Sequence, residues 1–282
     1  MTGSLLEVEN LRVTFRTQRG PVEAVRGISL TMGRERLGVV GESGSGKSLT
    51  GRSIMRLLPP NCDLSADRLS FDGEDLIRAS QPRMRDIRGR RIAMVMQDPK
   101  YSLNPVMKVG HQIQEAYRLR ASIGRAEARR DTLGALEEVR INDPERVYDL
   151  YPHQLSGGMG QRVMIAMMLI MKPDLLIADE PTSALDVAIQ TQVLAILEDL
   201  VLQRHMGLIF ISHDLNLVSS FCDRILIMYA GKIVESCVAS ELSNLRHPYA
   251  QGLLASMPRI DDDRSRLPTI QRDAAWARDL AR

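Results

Sequence analysis

Cysteine is scarce in this chain of 282 residues. Its three cysteines, Cys62, Cys222 and Cys237, are scattered and odd in number, and no two of them form a C-x-x-C pair. Such a set predicts neither a disulfide framework nor a zinc site. It fits a reducing compartment, in which structural disulfides are rare.

Long hydrophobic runs are also missing. The longest, from Val163 to Met171, lies between Arg162 and Lys172 and has about half the length that a membrane-spanning helix needs. The N-terminus does not show a basic segment followed by an apolar one, which is the pattern of a secretory signal. We therefore expect any work at a membrane to pass through a partner.

An excess of charge of one sign is absent as well. The formal net charge is +2, and charged residues make up 26% of the chain against 44% hydrophobic residues, as in an ordinary globular protein. Nucleic-acid binding, which usually shows a concentrated basic excess, is not indicated. The arginine-rich run from Arg83 to Arg91 is interpreted as a solvated loop edge. The single tryptophan, Trp276, lies in a tail, residues 251–282, to which no chemistry is assigned.

What the chain does contain is a phosphate-binding loop with the spacing G-x-x-x-x-G-K-[ST]. Its glycines let the backbone wrap around an anion, and the dipole of the following helix favours negative charge. Lys47 would contact the β- and γ-phosphates and the Ser48 hydroxyl would bind Mg²⁺. An apolar strand precedes the loop and a helical pattern follows it, which disfavours the alternative of a surface turn. The predicted nucleotide-binding residues here are Gly41, Glu42, Ser43, Gly44, Ser45, Gly46, Lys47, Ser48 and Leu49.

Strand and helix patterns alternate along the chain. Three short continuous apolar runs are typical of parallel strands buried on both faces, and helical segments separate them. These runs are residues 91–96, 175–178 and 208–211. The alternation predicts an α/β fold with a doubly wound parallel sheet. Two earlier strands, residues 5–15 and 22–30, predict a small antiparallel β layer, and residues 225–229 and 232–235 predict a final hairpin.

A carboxylate pair, Asp179-Glu180, follows the second apolar run. A carboxylate at the end of a buried strand near a phosphate-binding loop can hold Mg²⁺ through water. Glu180 is placed to act as a general base towards an attacking water. The alternative is an Asp-Glu pair that caps the turn at Pro181, and the presence of the phosphate-binding loop favours the metal and base roles.

A second candidate anion site lies at Leu155 to Met159. Ser156 is predicted to N-cap a helix that begins here, and Gly157 and Gly158 expose backbone N–H groups beside it. Since the chain already has one phosphate site, a second one suggests that phosphate is gripped from two sides, by two chains.

These residues carry a family resemblance. Leu155 to Met159 resembles the L-S-G-G-Q signature of ABC transporter ATPases, and the other landmarks of that family match in order over about residues 5–260. Gln97 resembles the Q-loop glutamine, Asp179-Glu180 the Walker B pair, residues 183–186 the D-loop and His213 the switch histidine. The glycine that follows the signature, residue 160, stands where a basic residue is usual and could loosen the helix.

A finer resemblance is to the ATPase subunits of peptide/nickel-type importers. It rests on residues 97–99, 102–105, 155–159, 161–167, 177–186 and 247–249. It implies a role in the uptake of peptides, nickel complexes, opines or similar small solutes. The alternatives are a soluble ABC-type ATPase not coupled to transport, a GTPase and a non-enzymatic nucleotide-binding regulator. A GTPase is disfavoured because no Asn-Lys-x-Asp motif occurs.

The resemblance implies a catalytic and a metal-binding set. The catalytic residues would be Glu180 as base, His213 as a partner of the γ-phosphate, and Gln97, which would contact both the metal and the attacking water. Mg²⁺ would be held by Ser48, Gln97 and Asp179. The implied cofactors are therefore ATP and Mg²⁺.

The resemblance also implies contacts between subunits. Ser156, Gly157 and Gly158 would touch the γ-phosphate of ATP bound to the opposing subunit, and Asp186 would act across the dimer. Within one subunit, Phe15 would stack on adenine, although a core strand residue is its alternative role.

The implied architecture is a P-loop NTPase of the ABC type. It would have a RecA-like parallel-sheet core, an antiparallel β subdomain and a helical subdomain at about residues 100–165, all within an ATPase domain of residues 1–250. The implied partners are a second ATPase subunit, expected to be a different chain, two transmembrane permease subunits docking around residues 98–112, and a periplasmic or extracellular solute-binding protein. The expected location is the cytoplasmic face of a bacterial inner membrane. No iron–sulfur cluster is expected, since no cysteine follows Cys237.

Overall fold

A computed structural model gives the fold, and the structure describes residues 3–96, 102–118, 123–183 and 185–256 together with Trp276. The chain divides into two compact units. One consists of residues 1–79 with 209–282, and the other of residues 80–208. The predicted residue Gln97 lies outside the described residues, as do residues 98–101, Ala184 of the D-loop and most of the predicted tail.

The strands, numbered along the chain, are β1 Leu6–Thr17, β2 Gly20–Met32, β3 Arg36–Val40, β4 Cys62–Ser65, β5 Arg68–Phe71, β6 Glu74–Asp75, β7 Ile92–Val95, β8 Leu175–Asp179, β9 Gly207–Ser212, β10 Arg224–Tyr229 and β11 Lys232–Val238. The α-helices in the described residues are α1 Lys47–Ile54, α2 Gln81–Ile87, α3 Val109–Arg118, α4 Arg125–Glu138, α5 Pro144–Asp149, α6 Gly157–Leu169, α7 Val187–Arg204, α8 Leu215–Phe221 and α9 Pro248–Ala255. None of these helices has the length and hydropathy of a segment that crosses a bilayer.

The first unit contains the predicted antiparallel layer. Its strands lie in the order β2-β1-β5-β6, and β4 pairs with the far end of β1. Side chains alternate along each half of β1, and a register shift between Val8 and Leu11 keeps Leu6, Val8, Leu11 and Val13 all buried, as expected where one face of a sheet packs on a core. The two predicted strands before the phosphate-binding loop are therefore confirmed, although β1 ends two residues later than predicted and β2 extends two residues further at each end.

The first unit also carries the sheet that positions the phosphate-binding loop. Its strands β11, β10, β3 and β9 are neighbours in that order. β10 runs parallel to β3, with Ile225 opposite Gly38, and antiparallel to β11, which confirms the final hairpin. All residues of β9 and the last four of β3 are buried, which explains their continuous apolar runs.

The second unit combines helices α2 to α7 with a parallel strand pair. β7 pairs with β8, Ile92 lying opposite Leu175 and Val95 opposite Ala178, and every residue of both strands is buried. Both strands were predicted from apolar runs. Because β8 ends at Asp179, the carboxylate pair stands at the carboxyl end of a buried parallel strand, where α/β proteins place their ligands.

Candidate nucleotide-binding site

The phosphate-binding loop joins β3 to α1 in the first unit. Three of its glycines have positive φ angles: Gly41 (158°), Gly44 (81°) and Gly46 (99°). Gly41 also passes so close to β10 that a Cβ atom on it would collide with the Met228 carbonyl oxygen. The backbone can follow this path only with glycine at these positions.

The start of α1 is open to an anion. Gly46 caps the helix without a side-chain hydrogen bond, and no acidic residue lies in the first turn. The first N–H groups of a helix have no intrahelical acceptor, and the helix dipole adds positive potential there. Ser48 and Leu49 lie in this turn and are half-buried, while Ser43 and Gly44 form the exposed tip of the loop.

Lys47 lies across the loop. Its Nζ atom donates hydrogen bonds to the carbonyl oxygens of Gly41 at 2.7 Å and of Glu42 at 2.8 Å, and the residue is only 5% exposed. In addition, the buried Ser45 Oγ has no hydrogen-bond partner within the described residues. A phosphate chain, which supplies several acceptor oxygens, fits this arrangement. It could accept from the buried Lys47 ammonium, from the Ser45 hydroxyl and from the N–H groups at the start of α1.

A metal ion at this loop would depend on the nucleotide. No group of three His, Cys, Asp or Glu side chains that could hold a metal occurs among the described residues. Mg²⁺ usually keeps several waters and takes only one or two protein ligands beside phosphate oxygens. The Ser48 hydroxyl, in the first turn of α1, is a ligand of the right chemistry for that role.

Two further predicted residues belong to the first unit. Phe15 lies near the end of β1, opposite Val22 of β2 and Cys62 of β4, and is half-buried. Part of the Phe15 side chain is therefore exposed to solvent. His213 directly follows β9 and is exposed. The next residue, Asp214, N-caps α8, its carboxylate accepting from two backbone N–H groups at 2.9 and 3.2 Å, so the turn that carries His213 is fixed.

The carboxylate pair lies in the second unit, at the end of β8. Asp179 is 4% exposed and Glu180 is half-buried. Glu180 has a positive φ of 47°, an uncommon conformation for a residue other than glycine and one that is often found at functional sites. The Glu180 carbonyl oxygen accepts from the Ser183 N–H at 3.3 Å and from its hydroxyl at 3.2 Å. The main chain therefore closes this turn.

The predicted signature begins α6 in the second unit. The Ser156 Oγ accepts from the Met159 N–H at 3.3 Å, which confirms that Ser156 is the N-cap. Ser156 and Gly157 are exposed, whereas Gly158 is buried against Ile189 of α7. The helix continues through residue 160, whose N–H donates to the Ser156 carbonyl oxygen at 2.9 Å.

The last residue of the D-loop, Asp186, fixes the start of α7 in the same region. The Asp186 carboxylate accepts from the Ile189 N–H at 2.9 Å and so caps the helix. Since Ile189 also touches Gly158, the starts of α6 and α7 form one packed corner of the second unit. Ser156, Gly157 and Gly158 at the start of α6 and Asp186 at the start of α7 thus lie at the same corner.

One contact of the loop was not predicted. The Tyr249 hydroxyl, from α9, accepts a hydrogen bond from the Glu42 N–H at 3.1 Å. The sequence marked residues 247–249 only as part of a family pattern. Since the two residues are 207 positions apart, no local signal could have indicated the contact.

Comparison with known proteins finds similarity over most of the chain. The family model described as ABC transporter matches residues 25–183. The dipeptide transport ATP-binding protein DppD of Haemophilus influenzae is 47% identical over 271 residues, which is 95% of this chain and 82% of that protein. The oligopeptide transport ATP-binding protein OppD of Bacillus subtilis is 46% identical over 260 residues, 91% of this chain and 73% of that protein.

A solved structure extends the likeness to the fold. It is the dimeric, post-hydrolysis state of the ATP-binding cassette MJ0796 bound to ADP and Pi. The TM-score is 0.73 at 25% sequence identity, and the match covers 83% of this chain and 98% of the cassette.

Proposed function

The chain belongs to the ABC transporter family, and on that premise we propose that it hydrolyses ATP to drive the import of peptides through membrane subunits. The observation that carries the proposal is the loop at residues 41–48, with Lys47 buried across it and an uncapped helix start behind it. The peptide substrate is supported by the names of relatives such as OppD and DppD, which align over most of this chain.

Binding of ATP is the task of the first unit. The loop amides that follow Glu42 and the Lys47 ammonium hold the phosphates, and Phe15 stacks on the adenine ring. Lys47 leaves the carbonyl oxygens of Gly41 and Glu42 to reach the phosphates, so its present contacts keep the cation oriented until a nucleotide arrives. Mg²⁺, when bound, neutralises charge on the phosphate oxygens, and Ser48, Asp179 and Gln97 are its proposed protein ligands.

Hydrolysis needs a base and a partner for the γ-phosphate. Glu180 accepts the proton of the attacking water, a role worth about 10²–10⁴ in rate. His213 and Gln97 position that water and the γ-phosphate. Ser156, Gly157 and Gly158 contact the nucleotide of a second cassette, and the exposure of the first two leaves them accessible to it.

The docking surface for a membrane subunit is proposed at residues 98–112, of which 102–112 are described. Gln112, which is buried, acts as an internal clamp there. Its Oε1 accepts from the Asn104 N–H at 2.8 Å, and its Nε2 donates to the carbonyl oxygens of Asn104 at 2.9 Å and Met107 at 2.8 Å. The turn is thereby held with Val106 projecting, 78% exposed. A turn that is already held in one conformation loses little conformational freedom when a protein partner binds to it.

Such an ATPase works as one of a pair, with two permease subunits and a solute-binding protein, at the cytoplasmic face of a bacterial inner membrane. A direct test reconstitutes the chain with the ATPase and permease subunits that copurify with it, adds the solute-binding protein, and measures peptide-stimulated phosphate release in proteoliposomes. Stimulation by peptides supports the proposal, and a complex that hydrolyses ATP without any response to peptides contradicts the substrate.

The nucleotide site is tested on the purified chain. Lys47→Ala is expected to abolish phosphate release, because the loop loses its cation. Lys172→Asn is the control, since Lys172 is exposed in the second unit and has a left-handed conformation (φ 51°) that asparagine tolerates. Hydrolysis at the parent rate by Lys47→Ala would show that the phosphates bind elsewhere.

A further inference from the structure

The segment His247–Tyr249 has no part in the proposed reaction, yet it contacts the phosphate-binding loop. The Tyr249 hydroxyl accepts the Glu42 N–H at 3.1 Å, and the Tyr249 side chain is completely buried. Glu42 is the second residue of the loop. A tyrosine from the C-terminal part of the first unit therefore holds the point at which the chain leaves β3 and enters the loop.

Backbone contacts fix Tyr249 independently of any ligand. The Glu235 carboxylate accepts from the N–H groups of Arg246 at 2.7 Å and His247 at 2.9 Å. The His247 Nδ1 then accepts from the Tyr249 N–H at 3.1 Å and caps α9, with Pro248 at the first helical position. Proline there is preorganised for a helix start. The tyrosine is thus placed by its own helix.

Aromatic packing adds a second restraint. The centroid of the Tyr249 ring lies 4.4 Å from that of the Tyr229 ring and 6.1 Å from that of the Trp276 ring. The centroids of the Trp276 and Tyr229 rings are 6.0 Å apart. Tyr229 is the last residue of β10, the strand whose Met228 carbonyl approaches Gly41. The cluster of Tyr229, Tyr249 and Trp276 therefore packs at the end of β10 that also contacts Gly41 of the loop.

The bonds at Glu42 differ in what happens when phosphate binds. Its carbonyl oxygen accepts from Lys47 Nζ at 2.8 Å and from the Ser45 N–H at 3.2 Å. The Lys47 bond must be exchanged for phosphate oxygens, whereas the Tyr249 bond is on the N–H side of the residue and needs no exchange. Tyr249 is thus an anchor of the loop that persists in both states.

We infer that Tyr249 is a positioning residue of the nucleotide site, which holds the loop through Glu42 in the conformation that binds phosphate. The inference rests on the proposed function, because it requires a nucleotide at this loop. Tyr249 touches no phosphate itself. It lowers the nucleotide Kd by preorganisation, since a loop held in its bound form loses less conformational freedom on binding.

The test compares two Tyr→Phe changes in one cluster. Tyr249→Phe removes the hydroxyl that bonds to Glu42, whereas Tyr229→Phe removes a hydroxyl that bonds to no residue of the loop in the described part of the chain. Calorimetric titration with ADP, which is not hydrolysed, gives the Kd. We expect about a threefold to tenfold rise in Kd for Tyr249→Phe, the scale of one lost hydrogen bond, and the parent Kd for Tyr229→Phe.

Trp276 reports whether the cluster survives the change. It is the only tryptophan in the chain, so its emission comes from this cluster alone. An unshifted emission maximum in Tyr249→Phe shows that the rings remain packed and that the change in Kd is not a loss of folding. In steady-state assays the rise in KM for ATP is expected to exceed any fall in kcat.

A second variant approaches the bond from the loop. Glu42→Pro removes the N–H donor and leaves Tyr249 intact, and the preceding residue is a glycine, the residue type with the widest backbone freedom beside a proline. The double variant is expected to have an ADP Kd no higher than that of whichever single variant binds ADP more weakly. The reason is that both changes remove the same hydrogen bond, between the Glu42 N–H and the Tyr249 hydroxyl. If Tyr249→Phe shifts the tryptophan emission, Glu42→Pro alone decides, and a parent Kd in it overturns the inference.

The outcomes separate the two proposals. A parent chain that does not bind ADP refutes the proposed function. If the parent chain binds ADP and Tyr249→Phe has the same Kd, the inference about Tyr249 is refuted and the proposed function stands. The same conclusion follows if the losses of ADP affinity in the two single variants add up in the double variant.

Discussion

A Cβ atom on Gly158 would lie 2.5 Å from the Cγ2 atom of Ile189. Gly158 is the second residue of α6, and Ile189 is the residue whose N–H donates to the Asp186 carboxylate that caps α7. The absence of a side chain at position 158 is therefore what allows the two helix starts to meet. The exposed neighbour Gly157 has only an ordinary contact at 3.8 Å, to Leu185 Cδ2.

We predict that Gly158→Ala destabilises the protein and Gly157→Ala does not. The added methyl group must displace Ile189, and overpacking of this kind costs about 1–3 kcal/mol, more than the gain of up to about 1 kcal/mol from the better helix propensity of alanine. Gly157→Ala receives that gain without a clash. Thermal unfolding of the two variants checks the prediction. Equal melting temperatures would show that Ile189 can move away from the added methyl group at no cost in stability.

A second prediction concerns the entry to the phosphate-binding loop. Gly41→Ala should lower the free energy of unfolding by about 1–3 kcal/mol, because the new Cβ meets a backbone carbonyl of β10, which cannot swing away as a side chain would. Gly33→Ala is the matched control, since a Cβ there has no atom within 4 Å and its φ is not positive. Urea unfolding measures both, and a similar loss in the two variants would contradict the role of the β10 contact.

The parts of the site that could be predicted are those with local signals. The loop spacing, the N-cap at Ser156 and the apolar runs of β7 and β8 each depend on residues a few positions apart, and the structure confirms them. What could not be predicted are contacts between distant segments. Tyr249 bonds to Glu42 and Gly158 packs on Ile189 because the fold brings them together, and no local pattern in the sequence reveals such a contact.

A third prediction tests the base. Glu180→Gln should bind ATP with the parent affinity yet lower the rate of phosphate release at least about 100-fold, because an amide cannot accept the proton of water. Glu137→Gln is the control, as Glu137 is exposed on α4 of the same unit. Single-turnover hydrolysis and equilibrium binding of ATP separate the two effects. Turnover at the parent rate would exclude Glu180 as base.

The last prediction concerns pH and the cap of α9. Burial lowers the pKa of His247 from its ordinary value of 6.5, and the Glu235 carboxylate opposes this only in part. The neutral form is also the one whose Nδ1 can accept the Tyr249 N–H. Because the unfolded chain then binds the proton more tightly than the folded one, the stability from this cap is complete above pH 6.5 and is lost as the pH falls below it.

His247→Asn isolates this effect, because asparagine is a good N-cap that does not titrate. Between pH 7.5 and pH 5.5, the free energy of unfolding should fall more in the parent than in the variant. Above pH 7.5, it should change with pH equally in the two proteins. Urea unfolding across that range, with the Trp276 emission as the signal, measures it in the same cluster that holds the loop. Parallel pH profiles for parent and variant would mean that His247 is not the titrating group, and the anchor at Tyr249 would then be insensitive to pH.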